Sequence, residues 1–431
     1  MSCYDCDLEQ YRCIAAVRLS QVEDIIMPGR TKILFFVFFM LFYSGCSDEE
    51  ETTRWGPAPG ARKENGKPES LPGIKLPPGA EWSCYRGSPS LAGISDSVIP
   101  ANPKRLLRKQ LSSFAHGQIA IANNRIFAGC DNGKLLAVDL ELGKLAWEFD
   151  SGHPVHGTPL VIGEKVYIGN EFGTISAISL ENGNELWKYD TESMIAGSLN
   201  RYEDSRGKLH VLVGSHDYFL YCIDAESGNP AWKFKTGNYI NGTAAVSGKM
   251  IVFGSCDGFL YICDLNGQKL GAANLEDFIP DSPAIAGKSA YVATSGGKVF
   301  RIELPGGEIT WTYRAGEEGH EEFTTSPAVG KDLVIVAGGS GNIYCIDRET
   351  GQAAGNRFFK ADSRIDSSPV LCGDKAVFGC TDGRIYIVEV PGGKKVWSYR
   401  TGGEITASVA VAGGIIAAIT FDGQLFLFGR K

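Results

Sequence analysis

The chain has little of what metal centres, disulfide scaffolds and nucleic-acid interfaces are made from. Six histidines in 431 residues leave scant material for a multi-metal site. Twelve cysteines, about 2.8 % of the chain, fall far below disulfide-scaffold density. Forty-two basic against 50 acidic residues give a net charge of −8. That argues against nucleic acid as a partner, because neutralising phosphates takes clustered Lys and Arg. No apolar run reaches the ~20 residues of a membrane-crossing helix. Glycine is abundant: 54 residues, about 12.5 %, against an average near 7 %. Proline, at 19, is ordinary, so the glycines are turn residues and not a low-complexity tract. A hydrophobic content of 43 % can fill a large core, which excludes wholesale disorder. A chain this long ordinarily makes two or three domains. The exception is a closed β architecture that grows by repetition.

The first 46 residues read as an address. Residues 33–43 are Ile-Leu-Phe-Phe-Val-Phe-Phe-Met-Leu-Phe-Tyr, preceded by Arg30 and Lys32 and followed by Ser44-Gly45-Cys46. A basic flank, a short apolar run and small residues make a secretory signal peptide. Tyr43-Ser44-Gly45-Cys46 resembles a bacterial lipobox, with Tyr43 where leucine is usual; the resemblance implies lipidation of Cys46. Ser47 after it, in place of Asp, resembles an outer-membrane address, so the expected body faces the periplasm from a lipid anchor. Residues 1–26 carry Asp5, Asp7, Glu9, Glu23 and Asp24, acidic groups that a signal avoids. Met27 is therefore the expected start, residues 27–46 the signal, and 1–26 a mis-annotated extension. Residues 47–80 are charged and Pro/Gly-rich, too polar to offset their ordering entropy, and read as a disordered tether. Residues 81–104 form a lead-in.

From Ala115 onward one unit recurs: an apolar residue, a variable one, then small residues. It stands at Ala115-His116-Gly117-Gln118, Val155-His156-Gly157-Thr158, Ile195-Ala196-Gly197-Ser198 and Ile240-Asn241-Gly242-Thr243. It returns at Ile279-Pro280-Asp281-Ser282, Phe323-Thr324-Thr325-Ser326, Ile365-Asp366-Ser367-Ser368 and Ile405-Thr406-Ala407-Ser408. The variable positions are spaced 40, 40, 45, 39, 44, 42 and 40 residues apart, a mean of about 41. Within each unit the apolar pattern has period two, the mark of half-buried strands. Asp257-Gly258, Asp382-Gly383 and Asp422-Gly423 supply hairpin turns. A fourth strand usually carries tryptophan: Trp147, Trp187, Trp232, Trp311 and Trp397. Four antiparallel strands per repeat make one propeller blade. The eighth unit stops before its fourth strand, while an isolated strand-like segment precedes the first. The expected fold is all-β, an eight-bladed propeller over residues 105–431, closed by that N-terminal strand completing the last blade.

Phe219-Leu220-Tyr221-Cys222-Ile223-Asp224 running to Trp232, and Ile343-Tyr344-Cys345-Ile346-Asp347 with Gly351, resemble the PQQ-type propeller repeat. The lead-in Trp82-Ser83-Cys84-Tyr85-Arg86-Gly87 with Gly93 is similar to the segment that precedes such propellers. The family divides into quinone-dependent dehydrogenases and noncatalytic lipoproteins similar to the BamB component of outer-membrane β-barrel assembly. Eight blades and a lipobox-like end fit the second branch. The resemblance implies a monomeric scaffold for protein partners, the β-barrel assembly machinery among them, with no cofactor. WD40 is disfavoured, since no Trp is followed by Asp at the strand end.

The residues themselves offer thin material for catalysis. The rival reading, a PQQ- and calcium-dependent alcohol or sugar oxidoreductase, needs a cation held by six to eight oxygens and a carboxylate base. The eight variable positions supply one carboxylate, Asp366, with Asp281 one residue deeper. No adjacent cysteine pair is present. A third reading is an extracytoplasmic sensor or polymer-binding module. His116 and His156 occupy equivalent positions in adjacent units and, with Asn241 and Asp366, are candidates for binding at the channel mouth. The plainer reading is wet channel lining, because zinc needs three or four ligands. The tryptophans read as packing between blades, and the cysteines as small buried hydrophobes.

Overall fold

The computed structural model describes residues 73–430, apart from 112–113, 115–116, 317–320 and 356–358. The expected extension, signal peptide, Cys46 and most of the tether lie outside the described residues, as does His116.

Eight four-stranded antiparallel sheets form the body. Blade 1 shows the plan: Ile119–Ala122 innermost, then Arg125–Gly129, Lys134–Asp139 and Leu145–Asp150 outermost. Burial follows position. The inner strand Ile119–Ala122 is buried throughout, whereas Leu145–Asp150 alternates between sheltered and exposed residues. Inner strands of neighbouring blades touch, and the innermost strand of blade 8, Ala410–Ala412, meets that of blade 1.

Blade 8 takes its outer strand from the other end of the chain. Lys104–Gln110 pairs antiparallel with Gln424–Gly429, Lys104 opposite Gly429 and Gln110 opposite Gln424. The sequence suggests a strand over 106–114; the observed one begins and ends earlier, because pairing with Gln424–Gly429 sets its length.

A series of hydrogen bonds runs around the channel from blade 1 to blade 8. The amide of Thr158 donates to the Ser198 hydroxyl at 2.8 Å, Ser198 to Thr243 at 3.0 Å, and Thr243 to Ser282 at 2.7 Å. Ser282 donates to Ser326, Ser326 to Ser368 and Ser368 to Ser408, at 3.2, 3.0 and 3.0 Å. Gln118 stands at this position in blade 1, and its side-chain oxygen accepts from the Thr158 hydroxyl at 3.1 Å. The small residues of the repeat are thus blade-to-blade couplers. Gly197 is held to glycine by the same closeness: a Cβ there would lie 2.7 Å from the Asn241 carbonyl oxygen.

Tryptophans stitch the periphery. Trp147, Trp187, Trp232 and Trp311 each donate from Nε1 to a carbonyl of the next blade, those of Leu180, Ala225, Leu265 and Arg348, at 2.9 to 3.1 Å. Each indole also covers a turn glycine there; a Cβ on Gly228 would sit 2.7 Å from Trp187. Trp397 meets Phe428 of blade 8 edge-on, with ring centroids 5.2 Å apart.

Truncating a stitch removes packing and a bond together. Trp147→Ala is expected to lower unfolding free energy by about 3 kcal/mol, and Trp187→Phe, which loses the hydrogen bond, by about 1 kcal/mol. Urea midpoints at constant slope measure both.

Candidate functional site

The meander fixes which groups meet at each end of the channel. Turns between second and third strands, and the loops linking blades, lie at one end, here called the mouth. Turns between first and second strands, and between third and fourth, lie at the other.

That other end is closed by the lead-in, which runs as a strap beneath all eight blades. Trp82 pairs with Ile121 of blade 1, and the Ser83 carbonyl accepts from Val161 of blade 2. Pro89 O accepts from the Asn200 side chain and the Val246 amide, serving blades 3 and 4. Ser90 O, Ala92 O and Gly93 O accept from Ile285, Val329 and Leu371 of blades 5, 6 and 7. The Ser95 hydroxyl donates to Val411 O of blade 8 at 2.8 Å.

Tyr85 and Arg86 stand on the strap as the channel floor. The Tyr85 hydroxyl donates to Asp281 Oδ2 at 3.0 Å and exchanges hydrogen bonds with Ser326 and Ser368 at 3.1 and 3.2 Å. Burial, then the Asp281 charge, raises the Tyr85 pKa well above the ordinary phenol range. Tyr85 is therefore a neutral hub joining blades 5, 6 and 7. The sequence reading treated this segment only as a lead-in. Its one signal was the aromatic–arginine–glycine run in a stretch without period.

At the mouth, the described variable positions, from His156 to Thr406, are all half-buried. The structure keeps the candidates apart. His156 Nε2 lies 3.9 Å from Asp131 Oδ1 of blade 1. Asn241 lies close to His216 of blade 3. Asp366 accepts from Arg364 Nε at 2.5 Å and from the Thr324 hydroxyl at 3.1 Å, and Arg364 also reaches Glu322 at 3.4 Å. Each polar residue is thus engaged by a neighbouring loop, and Asp366 is already neutralised by a cation of its own blade. Among the described residues no group of three or more His, Cys, Asp or Glu could hold a metal ion.

One arrangement outside the channel has the outline of a nucleophilic triad. In blade 3, Cys222 Sγ lies 3.6 Å from His210 Nδ1, and His210 Nε2 lies 3.6 Å from Asp204 Oδ2. Cys222 is fully buried, and burial pushes its thiol up to about 12. At pH 8 that leaves about one thiolate in ten thousand, so the group is inert. Burial likewise pushes Cys84, Cys263, Cys345, Cys372 and Cys380 up to about 12.

The large apolar side chains that the mouth face leaves open to solvent are aromatic. Phe172 (70 % exposed), Phe114 (51 %) and Tyr218 (37 %) lie on it. His153 stacks on Phe172 at 4.5 Å, His216 on Tyr239 at 4.6 Å, and Phe114 meets Phe421 edge-on at 5.6 Å. These contacts belong to blades 8, 1, 2 and 3 and the loops between them, among the carboxylates of Asp131, Asp150, Glu171, Asp190, Glu192 and Asp217. The sequence reading missed them, because Phe172 and Tyr218 fall at turn positions that the repeat leaves variable.

The family model described as outer membrane protein assembly factor BamB matches residues 97–205, 205–366 and 257–430, most of the propeller. The chain belongs to this family. Within it, the BamB of Burkholderia pseudomallei (strain K96243) is 31 % identical over 121 residues, 28 % of this chain and 30 % of that protein. The BamB of Xanthomonas campestris pv. campestris is 24 % identical over 151 residues, 35 % of this chain and 36 % of that one. The chain thus matches about a third of the length of these curated relatives. The crystal structure of BamB from Moraxella catarrhalis superposes with a TM-score of 0.64 at 18 % identity, covering 76 % of this chain and 98 % of that one. A europium-containing methanol dehydrogenase superposes at 0.69 with 11 % identity, covering 81 % and 98 %. These two likenesses speak to the fold alone, so the BamB-family assignment rests on the sequence match.

Burial of His216 is expected to give the mouth a pH dependence. It lowers the His216 pKa below the usual imidazole value, outweighing the Asn241 side chain and the Asp217 charge. The unfolded chain, with an imidazole near ~6.5, then takes the proton more readily than the folded one. Stability from neutral His216 is therefore complete above that value and is lost as pH falls through it. The urea midpoint is expected to fall between pH 7 and pH 5, and to fall less in His216→Gln.

Proposed function

We propose that this BamB-family chain is a noncatalytic, membrane-tethered propeller that binds protein partners, most concretely an assistant in outer-membrane β-barrel assembly. The observation that carries the reading is the aromatic sector of the mouth face. Exposed aromatics beside half-buried ones, rimmed by polar groups, are what a protein interface offers, since such residues supply most of the binding energy. The surrounding carboxylates favour a partner segment with basic residues, held by charge complementarity at the rim. Family membership supplies the assembly context. In this reading the propeller is exported and lipidated at Cys46, and residues 47–80 let it reach its partner from the outer membrane.

The europium-containing methanol dehydrogenase has the same ring, so a quinone enzyme is the alternative to test. The mouth argues against it through its own chemistry: Asp366 is bound by Arg364, and Asp281 by Tyr85 and Ser282.

Co-purification from detergent-solubilised membranes tests the proposal. The wild-type chain is expected to bring down β-barrel assembly components, and the double variant Phe172→Ser/Tyr218→Ser to lose them about tenfold or more with an unchanged melting curve. Recovery of none with wild type would overturn the assembly role. Undiminished recovery with the double variant would remove the aromatic sector as the docking site. Saturable binding of PQQ with Ca²⁺ and dye-linked alcohol oxidation would replace the reading with the enzymatic one.

A further inference from the structure

Arg86 is the largest of the side chains that this fold buries almost completely, at 1 % exposure. Its position is imposed. The backbone takes φ +60°, in the left-handed region that a non-glycine residue occupies at a cost. Gly93 of the same strap lies flat against the guanidinium, where a Cβ would come within 1.9 Å of Nη2. The strap therefore spends both a strained residue and an obligatory glycine on holding this cation inside.

Its hydrogen bonding is incomplete. Nη2 donates to the Pro327 carbonyl at 3.0 Å, while Nε and Nη1 are buried with no hydrogen-bond partner. No carboxylate among the described residues is within ion-pair distance of it. Asp281 is the acid whose charge it feels, and that carboxylate is engaged elsewhere. Its Oδ1 accepts from the Ser282 amide and hydroxyl at 2.7 and 3.0 Å, and its Oδ2 from Tyr85 and Ser368 at 3.0 and 3.4 Å.

A guanidinium cannot escape by losing its proton. A buried charge without a close counter-charge costs several kcal/mol, more than the unmade hydrogen bonds alone. A water could accept from Nε and Nη1 but would bring no counter-charge into contact with the guanidinium. An acceptor that also carries negative charge answers both needs, and it must be small, because the fold covers both nitrogens almost completely.

We propose that the channel floor is an anion site, in which Arg86 Nε and Nη1 bind a halide or a single carboxylate group. The anion locks the strap to the floor from within, beside the hub made by Tyr85. The site is independent of the docking face at the mouth, and either could fail without the other.

The test uses the full propeller. Crystals soaked in sodium bromide and measured at the bromine edge are expected to show an anomalous peak within hydrogen-bond distance of Arg86 Nε or Nη1. Equilibrium dialysis against ³⁶Cl⁻ is expected to give saturable, stoichiometric binding in wild type and at least a tenfold loss in Arg86→Gln. Displacement by formate would identify a carboxylate site, and resistance to formate a halide site; both support the proposal. Water at Arg86 in the bromide soak, or a bromide peak without saturable binding in solution, would overturn it. Should Arg86→Gln fail to fold, the two wild-type measurements decide alone.

Discussion

Everything in this molecule depends on joining the two ends of the chain. Eight twisted sheets around an axis are stable only as a closed circle, because an open one leaves free strand edges and an unshielded inner wall. Lys104–Gln110 provides the closure by completing the sheet that Gln424–Gly429 would otherwise leave with three strands. The strap supplies a second closure, with a hydrogen bond to every blade. Between them runs the hydroxyl series, in which the amides of blades 2 to 7 are each satisfied by the next blade's hydroxyl. Closing the circle, capping it and linking its spokes are three layers of one constraint.

That constraint explains where binding chemistry can and cannot reside. Polar side chains lining a channel seek partners, and here several find one another: Asp366 with Arg364, His156 with Asp131, Asp281 with Tyr85. A group so engaged is a poor ligand for anything arriving from outside. The turns at the mouth carry no such obligation. Where blades 3, 4 and 7 use a turn aspartate to accept from a tyrosine four residues on, at 2.7, 2.7 and 2.5 Å, blade 6 has Gly-Ser-Gly. It recruits Glu321 from the preceding loop, which accepts from Tyr344. The scaffold tolerates exchange at these positions, so surface aromatics can be set there without disturbing the ring.

Much of the fold was legible in the sequence. The period near 41 residues exposed the blades because units 2 to 8 repeat the same inner-ring demand, a hydroxyl residue that couples one blade to the next. The missing eighth outer strand pointed to closure by the chain's other end. The strap's path was not legible: residues 82–95 have no period, and their partners lie up to 316 positions away. The burial of Arg86 was hidden for the same reason. The Asp204–His210–Cys222 alignment spans three strands of one blade, so spacing alone could not reveal it. Phe172 and Tyr218 looked like ordinary turn residues until the meander placed them on one face.

The central claim is that the mouth face, on its aromatic side, meets a protein partner. A photo-crosslinking amino acid at position 172, compared with one at Val98 on the strap side (79 % exposed), tests it in intact cells. The account predicts a discrete crosslinked adduct with a β-barrel assembly component from position 172 and none from position 98. An adduct from position 98 alone, or monomer at both, would contradict it.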